Sequence, residues 1–186
     1  ASNYATRAHI EPSFKYRYEK PAFDAEAELS YLFTRYQQQS DDIRLDEDVT
    51  RTLPRARLQA QLHLERSTSD GYRQTLSPQI QYLYVPYENQ QNIGIYDTAL
   101  LQDDYYGLFR SRRFSGLDRI AEANQITYGL TTSLFTDNER EVLRASLGQI
   151  YNIEDSRTAL LIEETEEPTF TSSNSEWVAD INWAMT

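Results

Sequence analysis

Residues 8–34 read AHIEPSFKYRYEKPAFDAEAELSYLFT, and this stretch decides the fold. In its first half, Ala8, Ile10, Pro12, Phe14, Tyr16 and Tyr18 alternate with His9, Glu11, Ser13, Lys15, Arg17 and Glu19. In its second half, Phe23, Ala25, Ala27, Leu29, Tyr31 and Phe33 alternate with Asp24, Glu26, Glu28, Ser30 and Thr34. A period of two, with one apolar row and one polar row, indicates β-strands. Lys20-Pro21 marks the turn between them. A hairpin closed through residues 20–23 sets Lys15 against Glu28 and Arg17 against Glu26, and each such cross-strand pair stabilises by about 0.2–1 kcal/mol.

The same pattern continues along the chain. Ala56, Leu58, Ala60, Leu62 and Leu64 form the apolar row of a third strand, and Leu76, Pro78, Ile80, Tyr82 and Tyr84 that of a fourth. Asp70-Gly71 is a hairpin signal between them. A fifth row holds Ile126, Tyr128, Leu130 and Leu134; a sixth holds Leu143, Ala145, Leu147 and Tyr151. Asp137-Asn138 turns the chain between these two. The last row is Trp177, Ala179, Ile181, Trp183 and Met185. Leu32, Leu83 and Ile150 break the alternation, because they fall on polar rows.

About seven strands result, joined by connections that alternate between short and long. This matches a transmembrane β-barrel, with short periplasmic turns and long extracellular loops. Turns 20–23, 67–72 and 136–141 then face the periplasm, and loops 37–52, 86–123 and 153–174 face outside. Strands of ten or so residues suit a tilted crossing of about 9–11. Tyr16, Tyr18, Tyr31, Phe33, Tyr82, Tyr84, Trp177 and Trp183 sit near the ends of apolar rows, as interfacial girdles do. A soluble antiparallel sandwich alternates in the same way. It differs in requiring the apolar faces to meet in a core. The expected fold class is therefore all-β, an antiparallel up-and-down transmembrane barrel of which residues 1–186 form a part, with the sandwich as the competing architecture.

The formal charge of −11 argues against nucleic-acid binding, which needs a basic face. The absence of cysteine excludes disulfides, thiolate metal sites and cysteine nucleophiles within these residues. Ala1–Lys20 lacks the continuous apolar run of a signal peptide, and the chain is expected to be a piece of a longer one. The carboxylates of DDIRLDED (41–48) and EETEE (163–167) lack the glycine and spacing of an EF-hand loop, and read as solvated acidic loops. His9 and His63 stand among charges on polar rows. No nucleophile elbow accompanies them, so neither catalysis, a cofactor nor a bound metal is expected.

Residues 82–124 read YLYVPYENQQNIGIYDTALLQDDYYGLFRSRRFSGLDRIAEAN. The loop is long and aromatic rather than rich in Gly, Ser and Pro, which indicates a segment that folds against something. Its strings YLYVPY (82–87), the Tyr-Asp of IYDTALL, DDYYGLFR (103–110) and RFSGLDRIAEANQ (113–125) resemble the LptD family of lipopolysaccharide-assembly outer-membrane proteins. ASLGQIY (145–151), ATRAHIEPSF (5–14) and RYQQ (35–38) extend the resemblance to roughly residues 5–152.

The resemblance implies the middle of a large closed barrel, without the family's periplasmic jellyroll domain. It implies insertion of lipopolysaccharide into the outer leaflet of the Gram-negative outer membrane. The implied partners are an LptE-type plug lipoprotein, lipopolysaccharide, outer-membrane lipid and the periplasmic Lpt bridge. A generic porin and a carbohydrate-binding sandwich are the alternative functions. Within the loop, Arg110, Arg112, Arg113 and Arg119 with Asp103, Asp104 and Asp118 suggest a charge network that folds it inward. Arginines meeting lipid A phosphates are the other reading. The candidate residues for loop packing or plug contact are Tyr96, Asp97, Phe109, Arg110, Arg113, Asp118, Arg119 and Asn124.

Overall fold

The computed structural model describes residues 4–39, 45–102, 104–154, 158, 174–175 and 177–184. They form one antiparallel sheet of nine strand segments: β1 (Tyr4–Ile10), β2 (Ser13–Lys20), β3 (Phe23–Gln39), β4 (Asp48–Leu62), β5 (Leu64–Ser67), β6 (Arg73–Val85), β7 (Ala123–Phe135), β8 (Glu141–Asn152) and β9 (Val178–Trp183). Apart from β1 and β2, and β4 and β5, neighbours in sequence are neighbours in the sheet. β1 and β2 both pair with β3, and β4 and β5 both pair with β6. The sheet is open, with β9 at one edge and the β1–β2 line at the other.

Nine segments reduce to seven continuous lines, and proline explains why. Ile10 pairs with Phe33 and Ser13 with Ser30, so the register passes unshifted across Glu11-Pro12. Pro12 still accepts from Tyr31 N–H at 3.0 Å but has no N–H to return. β4 and β5 likewise meet β6 in a single register, Gln61 on Gln79 and Leu64 on Leu76. Pro78 lies opposite that gap, again without a donor for the ladder. The seven expected lines are therefore present. Lys15 Nζ reaches Glu28 at 2.8 Å and Arg17 Nη2 reaches Glu26 at 2.7 Å, as the hairpin register required.

One expected boundary moves. The polar stretch 37–52, read as a loop, is strand at both ends: Phe33–Gln37 pairs with Asp48–Thr52. Val49 and Arg51 in this stretch are buried under another part of the chain, and local polarity conceals that burial. The connection 153–174 and Met185 fall mostly or wholly outside the described residues.

The two faces differ in an unusual sense. The apolar rows are exposed: Leu29, Leu58, Ile80, Leu130, Leu147 and Ile181 range from 41% to 74% accessible. The polar rows hold most of the burial, including Thr34, Arg51, Gln81 and Thr127. No second sheet covers the apolar face among the described residues.

Candidate functional site

What covers the polar face is the chain's own loop. Residues 86–122 leave β6, cross the inner face towards β1 and return to β7. The irregular residues Leu32 and Leu83 are explained here: with Leu53, Val85 and Ile120 they form a buried apolar cluster between sheet and loop. Tyr36, Val49 and Ile93 form a second. Ile150 lines the same hollow as Leu108 and Leu83.

Asp118 is the hub of the docked loop, and its side chain is wholly inaccessible. One carboxylate oxygen accepts from the backbone N–H groups of Tyr96 and Asp97, both at 2.7 Å. The other accepts from Arg7 Nη1 and the Tyr36 hydroxyl, both at 3.1 Å. The Asp118 N–H donates to Thr98 Oγ1 at 3.0 Å. A buried carboxylate with this many donors is satisfied, and removal of any one donor leaves charge exposed to a low-dielectric interior. Arg7 Nη2 also pairs with Asp97 at 2.7 Å. This guanidinium holds the Asp97 carboxyl well below the usual carboxylate range.

Beside the hub, Gln90 joins the two ends of the loop. Its amide oxygen accepts from Ile120 N–H at 2.9 Å and from Arg51 Nη1 at 2.7 Å, and its amide nitrogen donates to Ile120 O at 2.7 Å. Arg51 also donates to the carbonyls of Leu117 and Asp118. Gln38 accepts from Gly94 N–H at 2.8 Å and from the Tyr96 hydroxyl at 3.0 Å. Gly116 permits the turn: its φ is +65°, and a Cβ there would lie 2.5 Å from the Asp97 carboxylate.

A second latch lies closer to mid-sheet, where Arg112 Nη2 donates to Glu11 at 3.0 Å and Glu11 also receives Arg55. A third contact is steric. Gly129 and Gly148 face each other on β7 and β8, and the pair opens a slot in the inner face. Tyr105 and Leu108 fill it so closely that a Cβ on either glycine would approach to 2.9 Å.

The expected site residues therefore divide. Tyr96, Asp97, Asp118 and Arg119 gather at the hub. Arg119 does not ion-pair with Asp118 through its side chain; it donates to the Asp118 carbonyl at 3.0 Å, and burial pushes its guanidinium down from the usual value. Phe109 packs edge-on to Tyr105 at 5.7 Å, over Gly129. Arg110 makes a local, partly exposed pair with Asp104 at 3.2 Å. Arg113 lies over the Phe114 ring and donates to the Thr158 carbonyl. Asn124 lies at the root of β7, where its side chain accepts from Tyr82 at 3.0 Å. Asp103 and the EETEE string fall outside the described residues.

Arg7, Tyr36, Arg51, Gln38, Gln90 and Glu11 are the partners that sequence reasoning missed. Arg7 continues the polar row one step before the stretch quoted above, which was the available signal. His9 approaches Thr34 Oγ1 at 2.7 Å and Glu11 at 3.5 Å. Thr34 is fully buried and also receives Arg51, so its hydroxyl has no substrate-accessible side.

Together these features define a class: an antiparallel sheet whose exposed face is apolar and whose polar face is strapped by its own long loop. The whole chain, residues 1–186, matches the family described as LptD, LPS transport system D. The chain belongs to the LptD family. It is 78% identical over 96% of its length to the LPS-assembly protein LptD of Idiomarina loihiensis. The corresponding figures are 51% over 92% for the LptD of Shewanella frigidimarina and 52% over 82% for that of Pseudoalteromonas translucida. The chain spans 24%, 23% and 21% of these three relatives.

Proposed function

We propose that this sheet is a section of the wall of a closed transmembrane barrel in the Gram-negative outer membrane. The parent protein, in this reading, inserts lipopolysaccharide into the outer leaflet together with an LptE-type plug lipoprotein, and has no enzymatic role. The observation that carries the reading is the inversion of the two faces. An exposed apolar row on every line is costly in water, at about 25 cal/mol per Å², and favourable against lipid. The dimensions agree. The apolar row of β3 from Phe23 to Phe33 extends roughly 33 Å at ~3.3 Å per residue. A tilt of about 40° reduces this to roughly 25 Å, the height of the apolar band of outer-membrane barrels.

In this orientation the short turns face the periplasm. The strap enters the lumen from outside and fills the extracellular half of this section. The periplasmic half of the inner face keeps an open polar surface around Lys15, Arg17, Glu26 and Arg57. Such a surface suits a plug entering from below. A generic porin is disfavoured by a loop held through three separate contacts rather than a simple constriction. A soluble sandwich is disfavoured because its apolar faces must meet.

The reading is tested by depleting the parent protein and following newly made lipopolysaccharide at the cell surface. Surface arrival should stop, and should be restored by the intact gene. Unchanged arrival would contradict the assignment. A lipoprotein of the LptE type should co-purify with the intact protein in detergent.

A further inference from the structure

A hollow of about 170 Å³ lies between the strap and the sheet, beside the first residues of β7 and the last of β8. Leu100, Leu101 and Leu108 of the strap line it, as do Leu83 and Ile150 of the sheet. Leu83 and Leu108 are almost wholly buried, whereas Leu100 is 56% accessible. Apolar lining left to water is unfavourable and gains by being covered. Sites for free small molecules typically measure about 300–1,000 Å³. This one is the size of one or two apolar side chains.

The connection between β8 and β9 starts, touches and ends at this hollow. Glu154 and Ser175, near its two ends, both line it. The start is fixed by Ile153 N–H, which donates to the Asn124 carbonyl at 2.7 Å. The end is fixed by Ser175, whose N–H donates to the Ile150 carbonyl at 2.8 Å and whose hydroxyl accepts from Ile150 N–H at 2.9 Å. Between them, Thr158 is buried against the strap. Its N–H donates to one Glu122 carboxylate oxygen at 3.2 Å and its hydroxyl donates to the other. Its carbonyl accepts from Arg113 Nη1 at 3.4 Å. Glu122 and Arg113 themselves line the hollow.

The residues that follow Thr158 supply matching chemistry. Residues 159–162 read ALLI, the only run of consecutive apolar residues between Glu154 and Ser175. Leu160 and Leu161 stand two and three positions beyond Thr158, a reach of up to about 7–11 Å at ~3.3–3.6 Å per residue. We propose that residues 159–162 place apolar side chains in this hollow, so that the connection after β8 packs against the strap. A lipid chain or a second protein would have to share the rim with a connection already held there at three points. The proposal needs no transport partner and does not rest on the transport reading.

The test introduces a diazirine-bearing amino acid at Leu100 of the full-length protein in detergent. Irradiation and tandem mass spectrometry then map its adducts, which should concentrate on residues 159–162. Independently, Leu160→Ser, Leu161→Ser and Ile162→Ser combined should raise hydrogen exchange of residues 100–113 several-fold and leave β3 and β4 unchanged. Adducts confined to the strap and sheet, to lipid or detergent, or to another protein would overturn the proposal. Unchanged exchange of residues 100–113 in the triple variant would overturn it as well. If exchange rises equally in β3 and β4, the variant has unfolded and the adducts of the otherwise intact protein decide.

Discussion

The outer face of this sheet exposes Leu58, Ile80, Leu130 and Leu147, while the inner face buries Thr34, Arg51, Gln81 and Thr127. In a water-soluble domain these assignments are reversed. The difference shows that burial and hydrophobicity are separate properties. The inner face is buried because a loop returns over it, and the loop is held chiefly by charge, amide and glycine contacts. The apolar face is left to the medium. Two small apolar clusters, around Leu53 and Tyr36, are the inner face's only core-like regions among the described residues.

The contrast can be broken at either face. The largest effect is expected at the hub. Asp118→Ala leaves the Tyr96 and Asp97 N–H groups without their acceptor and takes one of two partners from each of Arg7 and Tyr36, and loss of one partner from a buried pair typically costs about 3–5 kcal/mol. The strap should detach while the wall persists. Limited proteolysis of the full-length protein in detergent would then show rapid cleavage within residues 86–122 and otherwise intact strands. Protection equal to wild type would remove Asp118 from its assigned role.

A charge placed on the outer face should cost somewhat less. Leu58→Arg is expected to destabilise the folded protein in bilayers by about 2–4 kcal/mol if the residue lies near the midplane. Gln59→Arg, one position along and on the inner face, should be near neutral. Comparing the two unfolding curves isolates face from position. Equal effects would mean that the two faces meet the same medium.

Filling the slot tests the steric contact. Gly129→Leu drives a side chain into Tyr105, and overpacking of this kind costs about 1–3 kcal/mol. Strap protection should fall by a comparable amount, without loss of the strands themselves. Gly148→Leu should behave alike, because Leu108 occupies the same place above it.

The smallest effect concerns acidity. Arg7 depresses the Asp97 carboxyl in the folded state. The stabilisation is therefore complete above the unfolded value of about 3.9, and is lost as pH falls from there towards the depressed folded value. The side chain is 42% accessible, so screening limits the contribution to under about 1 kcal/mol. Strap protection in wild type should weaken modestly below about pH 4, and in Asp97→Asn that component should be absent.

Much of the wall was legible because alternation is local. The hairpin register and the seven lines follow from a period of two, and the turn at Asp70-Gly71 from its residue types. Pro12 and Pro78 interrupt ladders without shifting register, so their effect on pattern was small. The strap was legible only as a loop that packs. Asp118 was found from the loop's charged residues, and Tyr96 and Asp97 from the family resemblance of the IYDTALL string. Their partners Arg7, Tyr36 and Arg51 lie up to 111 residues away in sequence, and no local period links them to the loop. Val49 and Arg51 were misassigned to a connection for the same reason. Leu32 and Leu83 looked like faults in the pattern and were instead the imprint of the strap.

The central claim is that the apolar face meets lipid while the polar face lies under the strap. Spin labels on the full-length protein in bilayers measure this most directly, through collision rates with apolar oxygen and with a polar nickel chelate. Labels at Leu58 and Leu130 should collide freely with oxygen and little with nickel. A label at Leu83, beneath the strap, should be shielded from both, and should become accessible to nickel in Asp118→Ala. High nickel accessibility at Leu58 and Leu130, or a freely oxygen-accessible Leu83, would contradict the claim.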